Sequence, residues 1–425
     1  MMKVVKLFIL LIALSVTFFI KNGDTATINA NSCSQTAVQT AINSASAGDT
    51  VTIPAGTCTW TSQLTVSKGV TIKGAGIDVT TIVANVATKA GDSAKLALVM
   101  DVSGATPWHL SDLTITDTGT YYDYEGVFKI NGTCAGWRLN NVKFVNTNAR
   151  CMVIAGNSNS APYTTYGVID HCQFINSGGQ SILIRPYSST AANALWSQPT
   201  NLGAADAVFI EDCIFSNTAG EGHTAFDSEW GAKVVFRHNT LTNSFVLDHG
   251  YENNRSAIKL EIYDNTFNAT VENKQPAITF RGGTGVVFNN TITSISYGYD
   301  YDLLVRDYCS KGTSNCFGGV QCTSYPCHDQ VGRTSGPAYP NQTLQPLYVW
   351  NNTYNNSAFV VDIDASNNVI QKNRDYYEGG VTYNSGTNTY THSATGFTYK
   401  PYEYPHPLRV PGSPQAPRLF IITTP

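Results

Sequence analysis

The chain has 425 residues, a formal net charge of -4, only 13% charged residues and no run of basic side chains. Those figures argue against an electrostatic nucleic-acid binder and leave room for one large domain rather than demanding two. They leave acidic polymers open as partners, because a local basic patch is enough to hold one.

Met1–Ala30 reads as an export signal. Lys3 and Lys6 give the positive start, Leu7–Ile20 the apolar core, and Ala26 or Ala30 a cleavage point. The alternative is an uncleaved anchor, but the apolar run is short for a span and no other run is long enough. The mature chain is therefore expected to be secreted or held at the cell surface, with no integral membrane segment. The sequence does not give its oligomeric state. Ten cysteines in an exported chain point to disulfides. Cys33 and Cys58 are the expected pair. Cys172 and Cys213 form either a disulfide or a buried thiol stack. None of the cysteine spacings is a zinc pattern.

Residues 31–68 read as an N-terminal cap. Ala37, Val38, Ala41, Ile42 and Ala45 make one apolar face of a helix over Ser34–Ala47, with Ser34 as its N-cap and Gly48-Asp49 as its end. From Gly69 to about residue 385 the pattern is strand-like and repetitive. The clearest copies are V-V-F-R-H-N-T-L, L-E-I-Y-D-N-T-F and G-V-V-F-N-N-T-I within Val234–Ile292. They place Asn239, Asn265 and Asn290 at steps of 26 and 25 residues, the mark of stacked repeats. Leu260 and Ile262 are expected to face in, Glu261 and Tyr263 out. The ladder extends upstream through Leu110–Ile115, Leu139–Phe144, Ile169–Phe174 and Ile210–Phe215, and downstream to Val349–Tyr354, where Asn352 holds the repeating position.

With these repeats the chain resembles the pectate lyase superfamily of right-handed parallel β-helix proteins. The resemblance implies an all-β, single-stranded solenoid with three short parallel strands per coil, an N-terminal α-helical cap and an elongated substrate groove on one face. The string A-I-N-S-A-S-A-G-D-T-V-T-I-P resembles the superfamily's N-terminal cap. Val168–Cys172 resembles the I-D-H segment of pectate lyases, and Asp248-His249-Gly250 faintly resembles the G-H-G of polygalacturonases. The R-x-P-x-x-R, N-T-D and D-D segments are missing, so no mechanism transfers.

A second strand series interleaves with the first: Leu98–Asp101, Val127–Asn131, Met152–Ala155, Ile182–Arg185, Thr224–Asp227, Phe245–Gly250, Ile278–Gly283, Leu303–Asp307 and Phe359–Asp362. Its expected outer column is Asp101, Arg185, Asp227, Asp248, Arg281, Arg306 and Asp362. Residues 307–346 form an insertion with cysteines in C-x6-C-x5-C-x4-C spacing, which allows three pairings. It leaves the solenoid at Arg306-Asp307 and is expected to overhang the charged column, as a functional loop or a protective flap. Residues 386–425 are a tail that packs along the solenoid or caps its far end.

The central coils gather Arg185, Glu221, His223, Asp227, Glu229, Asp248, His249, Arg255, Lys259 and Arg281. A polysaccharide lyase abstracts the proton beside a uronate carboxyl and needs a cation for that carboxyl and a base for the proton. Arg281 or Arg185 suits the first role, or calcium held by Asp227, Glu229 and Asp248. His249, Lys259 or Arg255 suits the second. A glycoside hydrolase would use Asp227 and Asp248 as its carboxyl pair. The bland alternative is a salt-bridged surface. Tyr263, Phe288 and Trp350 share one outward position, which offers rings for stacking on sugars or for packing under the tail. The expected function is cleavage of an extracellular uronic-acid polymer by β-elimination. Hydrolysis is the alternative within enzymes, and a non-catalytic carbohydrate-binding, adhesin or matrix protein is the rival class.

Overall fold

The computed structural model describes residues 25–86, 96–118, 125–148, 150–156, 165–185, 189–218, 223–250, 255–312, 316, 321–334 and 341–410. Of the expected export signal, residues 1–24 lie outside the described residues, as does Glu221. Among the described residues no helix is long and apolar enough to cross a membrane.

Parallel pairing between successive coils organises the chain. One sheet has ten strands, which run from Leu64–Val66 through Gln180–Ile184, Thr224–Ser228, Phe245–Asp248, Ile278–Phe280 and Leu303–Arg306 to Val361–Asp364. We call it the site sheet. A larger sheet of 21 strands carries the asparagine repeats, and we call it the ladder sheet. In the ladder sheet Ile169, Ile210, Phe236, Ile262, Val287 and Val349 lie in register from coil to coil. All six are buried in the core between the sheets.

The bend after each of these strands has a simple cause. A single residue takes positive φ, between 51° and 62°, at Asp112, Asn141, His171, Asp212, His238, Asp264, Asn289 and Asn351. Asn and Asp tolerate this region because a short polar side chain can bond locally. The next residue is the inward ladder position. There Asn265 Oδ1 accepts from the backbone and side-chain amides of Asn239, at 2.9 and 3.1 Å. Its Nδ2 donates to the carbonyls of Phe236 and Tyr263, at 2.9 and 3.0 Å. Asn290 and Asn352 repeat the pattern. The turn's buried backbone groups are thereby satisfied once per coil.

Cys172 and Cys213 precede the asparagines at this position, and they are free buried thiols rather than a disulfide. Burial pushes the Cys213 thiol well up. Cys33 pairs with Cys58, and the insertion pairs Cys309 with Cys316 and Cys322 with Cys327. Near the N-terminus α1 (Gln35–Ser44) buries Val38, Ala41 and Ile42, and Ser34 Oγ accepts from the Ala37 amide at 3.4 Å.

After Tyr376 the chain forms a small antiparallel sheet of Val381–Asn384, Thr389–His392 and Thr398–Tyr399. It then runs back along the outer face of the ladder sheet. Arg237 donates to the carbonyls of Tyr402 and Glu403 at 2.7 and 2.8 Å, and Glu211 accepts from the His406 amide at 3.0 Å. Tyr263, Phe288 and Trp350 do stack as a column, with centroids 4.6 and 4.4 Å apart. The column is buried against Tyr390 and Tyr399, so its rings pack under the tail and present no sugar-binding surface.

Candidate functional site

Strand register decides which side chains reach the outer face of the site sheet. Ile184 pairs with Ser228, and Ser228 with Asp248. One residue further along, the outward column therefore runs Arg185, Glu229, His249. The register of Leu247 with Thr279 and of Phe280 with Val305 extends it to Arg281 and Arg306, and Arg306 pairs with Asp364. Asp227 lies in the neighbouring outward column, between Leu183 and Leu247.

This corrects the expected column at three places, the first being Asp227, whose place in the column Glu229 takes. Asp248 shares its position with the core residues Ile184 and Phe280 and is turned in. Its carboxylate accepts from the backbone amides of Ala257 at 2.9 Å and Arg281 at 3.0 Å. Burial holds its pKa well above the usual carboxylate range. It is available neither as a calcium ligand nor as the partner of Asp227 in hydrolysis, because the two carboxylates sit on opposite faces. Asp362 pairs with Leu304, in the same neighbouring column as Asp227, and Asp364 takes the expected place beside Arg306, with Oδ2 2.6 Å from Nε.

Asp227, Glu229 and His249 converge. Each offers one ligand atom, and these atoms lie within 4.8 Å of one another. Oδ2 of Asp227 is 2.6 Å from Nδ1 of His249. Asp227 is fully buried, and the same oxygen accepts from Gln180 Nε2, whose Oε1 in turn accepts from Arg150 Nε. Arg185 Nη1 stands 3.3 Å from Glu229 Oε2. Burial, then the charge of Asp227, raise the pKa of Glu229, and Arg185 and His249 oppose that rise. Arg281 lies with Cζ 4.9 Å above the ring of Tyr308, and Arg306 lies 4.7 Å above the same ring. The insertion thus meets the charged column through Tyr308 at its first turn.

Other nominated residues lie elsewhere. Lys259 is on the ladder sheet, fully buried, donating to the Asn201 carbonyl at 2.8 Å and lying 3.1 Å from Glu261. His223 contacts the Ser177 carbonyl at 2.7 Å. Arg255 grips Asp329 with two bonds of 2.7 and 2.6 Å and stacks 4.7 Å above Trp196, at the end of α2 (Ser189–Trp196). It ties α2 to the 307–346 insertion, and its guanidinium is committed to that clamp. Gln180 and Tyr308 were not nominated. Tyr308 was legible as the residue two past Arg306, whereas nothing in the local pattern marks Gln180.

No family model and no curated protein matches the chain. Solved structures similar to it include an alginate lyase from Paenibacillus sp. str. FPU-7, at 12% identity and a TM-score of 0.42 over 80% of this chain and 99% of that one. A PL6 family polysaccharide lyase from Pseudopedobacter saltans aligns at 12% identity and a TM-score of 0.38, over 89% of this chain and 82% of that one. The catalytic domain of a GH87 α-1,3-glucanase aligns at 13% identity and a TM-score of 0.38, over 84% and 68%. The stacked parallel register of its own strands makes the chain a parallel β-helix. Likeness at this level carries no reaction over to it.

Proposed function

We propose that the protein binds an extracellular uronic-acid polysaccharide along the site sheet and cleaves it by β-elimination. The observation that supports this most directly is a histidine held by a buried aspartate on a column between two arginines. In the neutral imidazole Nδ1–H donates to Asp227, which leaves Nε2 as the basic nitrogen. Nε2 takes the proton from the sugar carbon beside the carboxylate. The electron pair left behind forms the new C=C bond, the bond to the 4-linked sugar oxygen breaks, and that oxygen leaves as a hydroxyl by taking a proton from water. Arg281 and Arg185 neutralise the carboxylate and so stabilise the negative charge that develops on it.

Calcium was expected on Asp227, Glu229 and Asp248. With Asp248 turned into the core, the third group of the cluster is the His249 imidazole, and calcium prefers oxygen. The residues present do not fit that ion, and no step is assigned to it.

One observation favours a second reading. Asp227 and Glu229 offer two carboxylates side by side, with ligand oxygens within 4.8 Å, and burial raises the pKa of Glu229, as a general acid requires. The experiment is ultraviolet absorbance of unsaturated uronate, with the mature protein acting on pectate, alginate and glycosaminoglycans. A rise that is lost in Arg281→Ala and His249→Ala supports elimination. A flat trace with new reducing ends moves the reading to hydrolysis by Asp227 and Glu229. A flat trace with polymer retention alone moves it to an adhesin or matrix protein.

A further inference from the structure

We infer that Asp227, Glu229 and His249 form a binding site for a divalent transition-metal ion of the zinc class. The ligand atoms of the three residues already lie within 4.8 Å. Asp227 is on one strand of the site sheet, Glu229 follows the end of that strand, and His249 follows the end of the next. Two carboxylate oxygens and one imidazole nitrogen make a mixed set that suits zinc and its neighbours, which take three protein ligands and leave positions open.

A second, independent observation points to a ligand here. Oδ1 of Asp227, the most deeply buried member of the cluster, is itself buried, and among the described residues it has no hydrogen-bond partner. Buried polar atoms without partners are costly, and a bound ion with its waters would relieve that cost. Gln180 donates to Asp227 and Arg150 donates to Gln180, so the carboxylate is held in place as metal ligands usually are.

Loading the site changes the present contacts. The ion takes one imidazole nitrogen, which either ends the 2.6 Å contact with Asp227 or removes Nε2 from proton chemistry. In either case His249 has no free basic nitrogen, so the loaded form and the proposed proton abstraction are alternative states of the same three residues. Arg185 gives up Glu229. Binding itself does not depend on whether the protein cleaves a polymer.

The test uses cobalt(II) as a spectroscopic probe on the chelator-treated, dialysed mature protein. The expected result is a visible absorption band that saturates at one ion per chain, is displaced by zinc and is not displaced by equimolar calcium. Removing a ligand should weaken cobalt binding by at least about tenfold in His249→Ala and Glu229→Gln, since loss of an outer-shell partner alone costs about 10–100-fold. His238→Ala, on the ladder sheet, should bind as the parent does. Circular dichroism of each variant checks folding. Absence of a band in the parent protein, displacement by equimolar calcium, or a band unchanged in folded His249→Ala and Glu229→Gln overturns the inference.

Discussion

Nδ1 of His249 and Oδ2 of Asp227 meet at 2.6 Å across two adjacent strands of the site sheet, one group part-exposed and the other fully buried. A carboxylate in that position fixes the ring and sets its tautomer. In the proposed elimination Asp227→Asn should lower product formation by about 100-fold, at the low end of what positioned acid–base groups contribute. The binding of uncleaved polymer should change little. Rates of unsaturated product and retention on immobilised polymer check this. Equal rates for parent and variant would remove the pair from the chemistry.

The asparagine ladder gives a stability prediction. Asn265→Ala leaves the Asn239 amide and the Phe236 carbonyl without partners inside the core. Each such group costs about 1–3 kcal/mol, so a loss of roughly 3–5 kcal/mol is expected in urea unfolding. An outward neighbour supplies the comparison, because Thr266→Ala is exposed and should cost little.

The tail makes a separate prediction. Arg237 is fully buried, 2.7 Å from Glu211, and it holds two tail carbonyls. Arg237→Ala leaves a buried carboxylate uncompensated and should destabilise by about 3–5 kcal/mol. Activity below the unfolding transition should be retained, because this face lies away from the site sheet. Thermal unfolding together with an activity assay at low temperature separates the two effects.

Asp307 couples stability to pH. It is buried at the start of the insertion and accepts from the Ser310 amide at 2.8 Å. Burial raises its pKa from 3.8 to about 6. Between those values the folded state holds more protons than the unfolded one, so this group's contribution to stability falls as pH rises through that window. Asp307→Asn keeps an acceptor for Ser310 and cannot ionise. It should unfold at a higher temperature than the parent at pH 7.5 and show a smaller difference at pH 4. A difference that is the same at both pH values would mean that Asp307 does not titrate there.

Cys134, Cys151, Cys172 and Cys213 are buried free thiols, and burial pushes Cys134 up to about 11 and Cys151 up to about 12. Thiolate is the reactive form, so all four should resist alkylation in the native protein and react once it is unfolded. Mass spectrometry before and after denaturation reads the count. A Cys172–Cys213 disulfide would appear as two missing adducts.

The alternation of apolar residues and the 26- and 25-residue steps determined a solenoid of stacked strands, because both features are local and repeat, and the resemblance these repeats carry implied the parallel β-helix. The ladder role of Asn239, Asn265, Asn290 and Asn352 followed from the same pattern. The pairing of Cys33 with Cys58 followed from their places on either side of the N-terminal cap segment, and the sequence also placed Arg185, Glu229, His249 and Arg281 among the candidates. It could not decide which face Asp248 takes. The end of an apolar run does not show the pleat, and a shift of one residue turns a side chain to the other face. The local register of Thr224–Ser228 against Phe245–Asp248, which carries an irregularity at Thr224/Phe226, made that decision. Only the tertiary structure could bury the Tyr263–Phe288–Trp350 column, because the tail that covers it comes from far along the chain. The same holds for Gln180, whose bond to Asp227 spans 47 residues. Contacts across coils are set by how the coils stack, and single-strand patterns do not carry that information.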